Sequence, residues 1–172
     1  MSRFSFLPAL ATVAIGLMLP AQAPAQVKVG IINMQRAVLG TEEIKKASAD
    51  MQAKFKPRQD QLDKLQKDMA DIQAKLQSQQ VPAAAQVDLT AEGQRKQREA
   101  QRISEDLQAD VERERTEILQ RASQRMAEVV KKLAEDQGFD VIVDTTTTVF
   151  YKPALEVTEE AMAAYNKAYP AK

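Results

Sequence analysis

The sequence predicts an α+β chain that is mostly α: a long antiparallel helical hairpin, in effect a coiled-coil tentacle, standing on a small β-rich body. Three observations carry this. Over residues 41–137 apolar side chains recur at steps of three and four within otherwise charged sequence, the spacing that keeps them on one helical face. A cluster of breakers interrupts the run around Pro82, and short β-branched stretches flank it at 27–33 and 139–151. Glycine and proline are otherwise sparse, five and seven in 172 residues, as a helix-rich chain requires.

Taken in order, the chain opens with Met1-Ser2-Arg3, an apolar stretch over 4–19 and two A-x-A sites ending at Ala23 and Ala25. This is the pattern of a cleavable secretory signal. Cleavage is expected after Ala25, because Pro24 would follow the scissile bond in the other register. The apolar run of 16 residues is short for a membrane anchor, which needs about 20. Losing Arg3 leaves 23 basic against 24 acidic residues, so the mature chain is near-neutral. A protein exported this way works where ATP is not available.

Val27-Lys28-Val29-Gly30-Ile31 alternates with period two and predicts one strand. Residues 34–39 predict a short helix stopped at Gly40, after which Thr41 caps the first long arm, with Glu42 and Glu43 in its favourable first turn. That arm carries Ile44, Ala47, Met51, Phe55, Arg58, Leu62, Leu65, Met69, Ile72 and Leu76 on one stripe. From Arg58 the steps alternate four and three, as in a coiled-coil seam. Pro57 lies inside it, compatible with a bend in one helix or with the start of a new one.

Asp88-Leu89-Thr90 offers fresh N-caps beyond Pro82, so the second arm is expected to start there. It carries Ala100, Ile103, Leu107, Val111, Glu114, Ile118, Ala122, Met126, Val129 and Leu133, with several steps of four that approach an eleven-residue repeat. With the tip near Ala85, Leu65 should face Ile103, Leu62 Leu107, Met51 Ile118 and Ile44 Met126. The arms would be ~60 and ~70 Å long at ~1.5 Å per residue. The second arm mixes charges of both signs, which fits a solvated face laced by i,i+4 pairs; the functional reading is a wall offering both signs to a bound chain.

Gly138 is the expected left-handed residue closing that arm. Two strands are predicted next, over 139–144 and 149–151, the second ended by Pro153, and then a helix over 159–167 capped by Thr158. The organisation is therefore a signal at 1–25, a body from 26–40 plus 138–172, and the hairpin at 41–137. A body of about 50 residues is marginal for an independent core. Pooling several such bodies removes both the thin core and the open sheet edges, so a homo-oligomer with Val29, Ile31, Val141, Val143 and Phe150 at its core is expected.

Composition excludes much chemistry. There is no cysteine and no histidine, so thiol chemistry, imidazole bases and the common zinc sets are absent. No cofactor or metal site is expected. Lys+Arg and Asp+Glu are equal at 24, which gives no field for nucleic acid. Asp140 and Asp144 lie four apart on one strand but have nothing to complete a catalytic site, so an enzyme is not expected.

The signal, the strand Lys28-Val29-Gly30-Ile31-Ile32-Asn33-Met34-Gln35-Arg36-Ala37, the charged hairpin, Phe139-Asp140-Val141-Ile142-Val143-Asp144 and the helix start at Glu156-Val157-Thr158 resemble, in this order, the Skp (OmpH-like) periplasmic chaperones. The resemblance implies a homotrimer whose strands form a central β-barrel-like body and whose tentacles enclose a cavity. It implies an ATP-independent periplasmic holdase that keeps unfolded outer-membrane β-barrel proteins soluble until insertion. Met51, Phe55, Leu62, Leu65, Met69, Ile72 and Leu76 are the candidate client contacts, although the same positions fit the seam between the arms. Familiar members are strongly basic and this mature chain is not, which speaks against binding of lipopolysaccharide or anionic lipid. The competing reading is a coiled-coil structural adaptor of the cell envelope.

Overall fold

A computed structural model describes residues 27–78 and 81–171. The signal expected at 1–25 lies outside these residues. The elements are β1 (Val29–Ile32), α1 (Met34–Leu39), α2 (Glu42–Gln77), α3 (Ala83–Gln137), β2 (Val141–Asp144) and α4 (Thr158–Ala168), with 3₁₀ turns at Thr145–Thr147 and Pro153–Leu155.

The local signals account for most boundaries. Asn33 caps α1, its side chain accepting from the Arg36 N–H at 2.8 Å. Buried Thr41 caps α2 by accepting from the Ile44 N–H, and its hydroxyl donates to the Val38 carbonyl at 2.9 Å. Gly138 adopts φ 67° and ψ 39°. The Phe139 N–H then reaches the Ala134 carbonyl at 2.9 Å, closing α3 with its last carbonyls satisfied.

Three expectations are corrected. The second arm starts at Ala83 directly after Pro82, not at 88–90. Ala83-Ala84-Ala85 has the highest helix propensity available, and Thr90 is absorbed by donating to the Gln86 carbonyl at 2.7 Å. Arms of 36 and 55 residues are therefore ~54 and ~82 Å long. The strand expected at 149–151 is absent: Asp144 accepts from the Thr146 N–H and hydroxyl and pulls the chain into a turn. Thr158 does not cap α4. It is the first helical residue, and its hydroxyl accepts from the Asn33 N–H at 2.9 Å and donates to Glu156. Pro57 stays inside one helix, held against α3 on either side by Lys54–Glu114 and Arg58–Asp110 ion pairs.

β1 and β2 pair in parallel, Val29 with Val141 through Ile32 with Asp144. On its other side β1 receives the Val157 N–H at the Ile31 carbonyl, 2.8 Å, and a bridge to Glu156. Among the described residues the sheet is two-stranded and open, so no barrel closes within one chain. The core joins Ile32, Ala37, Val38, Val157, Ala161 and Tyr165 to Ala122, Met126 and Val129 of α3 and Ile44 of α2.

Two glycines make opposite predictions. A Cβ at Gly40 would overlap the Met162 sulfur and stand 3.0 Å from the Arg36 carbonyl, so Gly40→Ala is expected to destabilise by about 1–3 kcal/mol. In α3 a Cβ at Gly93 meets only Ile72 at ordinary contact distance, and Gly93→Ala should stabilise by about 0.5–1 kcal/mol. Melting temperatures compared at one protomer concentration check both signs.

Candidate functional site

α2 and α3 lie antiparallel, laced from base to tip by Glu43–Arg125, Lys54–Glu114, Arg58–Asp110 and Asp68–Lys96. Phe55, Leu62, Leu65 and Ile72 are 7–9% exposed along this seam, each burial worth about 1.5–3 kcal/mol. Met51, Met69 and Leu76 are half-buried. Four of the seven candidate contact residues are thus covered within the chain by helix packing.

The seam opens near the base. There α3 offers Glu114 at a seam position, and this side chain turns to Lys54 at 2.6 Å instead of packing. The small Ala47 lines the opening on the α2 side. The gap is an open apolar groove of about 440 Å³. Leu39, Ile44, Met51 and Phe55 form one wall, Val111, Ile118 and Leu119 the other, with Ser48, Gln52 and Arg115 at the edge. Leu39 is 47% exposed. Of these, only Met51 and Phe55 belong to the client contacts expected from the sequence. The signal was there in the consecutive four-residue steps Ile118, Ala122 and Met126, which rotate the stripe off the facing helix.

Below the groove a polar node ties three helices together. The buried Tyr165 hydroxyl of α4 donates to Glu43 at 2.6 Å, and Arg125 donates to both Glu43 oxygens at 2.9 and 3.0 Å. The Arg125 guanidinium stacks 4.7 Å over the Tyr169 ring. Burial, then the hydrogen bond to the Glu43 carboxylate, pushes Tyr165 from its ordinary 10 up to about 12.

The body shows a different surface. Of the expected oligomer core, Ile31 is buried and Val29 and Val143 are half-buried, whereas Val141 and Phe150 are 43% and 82% exposed. Val149 beside Phe150 is fully exposed. Asp140 and Asp144 are both engaged structurally: Asp140 accepts from the Lys28 N–H at 2.7 Å, and Asp144 from the Met34 N–H at 3.1 Å and from Thr146. Those Thr146 bonds first, then the Met34 N–H, hold Asp144 below the usual carboxylate range.

Fold and site define an elongated α+β protein in which two long ion-pair-laced helices stand on a small sheet-containing body. The chain belongs to the OmpH-like outer membrane protein family, whose profile matches residues 28–165. It is 27% identical over 160 residues to the chaperone protein Skp of Yersinia enterocolitica, covering 89% of this chain and 95% of that one. It is 23% identical over 161 residues to a Skp-like protein of Pseudomonas aeruginosa, covering 90% and 94%. A crystal structure of a putative outer membrane chaperone (OmpH-like) from Caulobacter crescentus superposes with a TM-score of 0.71 at 20% identity, over 87% of this chain and 90% of that one.

Tyr165→Phe tests the node. A tyrosine whose folded value is raised binds its proton more tightly when folded, so its contribution is fully present below pH ~10 and is lost as pH rises toward ~12. Tyr165→Phe should melt below the wild type at neutral pH, by about 1.5–3 kcal/mol for a lost hydrogen bond to a charged group. That deficit should shrink as the pH rises through the same window, followed by thermal melts.

Proposed function

We propose that this protein is an ATP-independent periplasmic holdase that binds unfolded outer-membrane β-barrel proteins and keeps them soluble before insertion. Membership of the OmpH-like family, with chaperones named Skp among its relatives, supports the chaperone role. The observation that carries the holdase mechanism is the arm pair itself. Its seam is one residue wide and its outer faces are charged with both signs. Such a surface makes many weak contacts without imposing one conformation, and few packed contacts resist splaying of the arms.

The arms act as tentacles around a cavity, and the body is where the chain trimerises. The open β2 edge and the exposed Val141, Val149 and Phe150 are the features another copy would cover, since free edges and apolar patches call for a partner. Of the candidate client contacts, Met51 and Phe55 reach the open groove, and Leu62, Leu65, Met69, Ile72 and Leu76 become available to a client where the arms part. The leader at 1–25 directs the chain to the periplasm.

Diluting a denatured outer-membrane β-barrel protein into buffer with the mature chain tests this reading. A holdase suppresses light scattering at near-stoichiometric ratio, and native mass spectrometry should show a trimer carrying one client. A protein that leaves scattering unchanged and binds one folded envelope partner is the structural adaptor instead. Val141→Asp places a carboxylate on the edge strand and should reduce the native mass to that of a monomer; an unchanged mass overturns the assignment of this edge to assembly.

A further inference from the structure

We infer that the basal groove between α2 and α3 is an anchoring subsite for an extended apolar segment that carries an acidic residue beside its apolar side chains. This rests on the holdase reading and adds to it a location and a client chemistry. The groove volume of about 440 Å³ falls within the ~300–1,000 Å³ of small-ligand sites. Its walls are aliphatic, aromatic and thioether, a lining that adapts to different side chains. Along an extended chain alternate residues project to one side about 6.4–6.8 Å apart, and outer-membrane barrel strands alternate apolar and polar residues with aromatic girdles. Two neighbouring apolar side chains of such a strand can enter together.

Charge selects the occupant. No acidic side chain lines the groove, and Arg115 at its edge makes no ion pair among the described residues. A bound segment therefore meets one uncompensated cation. The exposed Val149-Phe150 pair of a second copy is followed by Lys152 and would set cation against cation, as would the leader with Arg3. A long acyl chain would lie half in water, because the groove is open along its side. An unfolded polypeptide segment with Asp or Glu next to Phe, Leu or Met satisfies both the walls and Arg115.

Two fluorescent peptides probe this with the mature chain: one alternates Phe and Thr and contains one Asp, the other has Lys in place of that Asp. The wild type should prefer the Asp peptide by about two- to fivefold, the scale of one exposed ion pair. Arg115→Glu, on an exposed position, should invert the preference, and Met51→Asp should weaken both peptides by about tenfold. Equal affinities in wild type and Arg115→Glu, together with suppressed aggregation of a full client, overturn the groove while the holdase reading stands. Peptide preference without any suppression has the reverse meaning. Arg115-dependent binding of dodecanoate in place of the peptides makes the groove an amphiphile site and overturns the inference, as does a change in native mass on Met51→Asp.

Discussion

The parallel pairing of β1 with β2 brings Val29 beside Val141 and sets the terms for everything between. Parallel strands cannot be joined by a tight turn, so the intervening chain must leave the body and come back to its starting edge. Here the crossover is α1, α2 and α3 together, which forces the two long helices to run out and return. The junction is secured on both sides by Lys28 and Asp140: the Lys28 N–H meets the Asp140 carboxylate at 2.7 Å and the Lys28 carbonyl receives the Asp140 N–H at 2.9 Å. Closing so long a loop costs little more entropy than closing a short one, so the length of the arms is free to follow function.

What the arms gain from each other changes along their length. At the base they share the body's core, with Ala122, Met126 and Val129 buried beside Ile44, and they are pinned by the Glu43–Arg125–Tyr165 node. Farther out only a single file of seam residues and exposed ion pairs remain, and exposed pairs contribute about 0–1 kcal/mol each. Rigidity therefore falls from base to tip. The arms are thus mounted most firmly where they join the body.

The groove is a consequence of the same arrangement. Two stiff helices with different apolar periods cannot stay face to face over their whole length, and where the stripes diverge their apolar walls stand apart. Glu114 and Lys54 pair with each other beside the groove, and Met51, Phe55 and Ile118 line the open space. An accessible apolar surface thus sits where the arms are held most firmly.

The sequence by itself determined the helical arms, their pairing and most of their ends, because three- and four-residue spacing, Thr41, Gly138 and Pro82 act within a turn or two of chain. Its family resemblance was legible in the order of weak motifs and is established by the match over 28–165. Other outcomes belonged to the tertiary structure alone. Residues 149–151 have the composition of a strand, but a strand exists only where a partner edge takes its hydrogen bonds, and Asp144 turned the chain away first. Thr158 has the chemistry of a cap, yet Asn33, 125 residues earlier, took its oxygen. The groove depends on which residues of α2 and α3 end up facing each other where the stripes diverge, and the periodicity of either arm alone does not name them. Local rules act on neighbours in the chain; edges, nodes and grooves are made by neighbours in space.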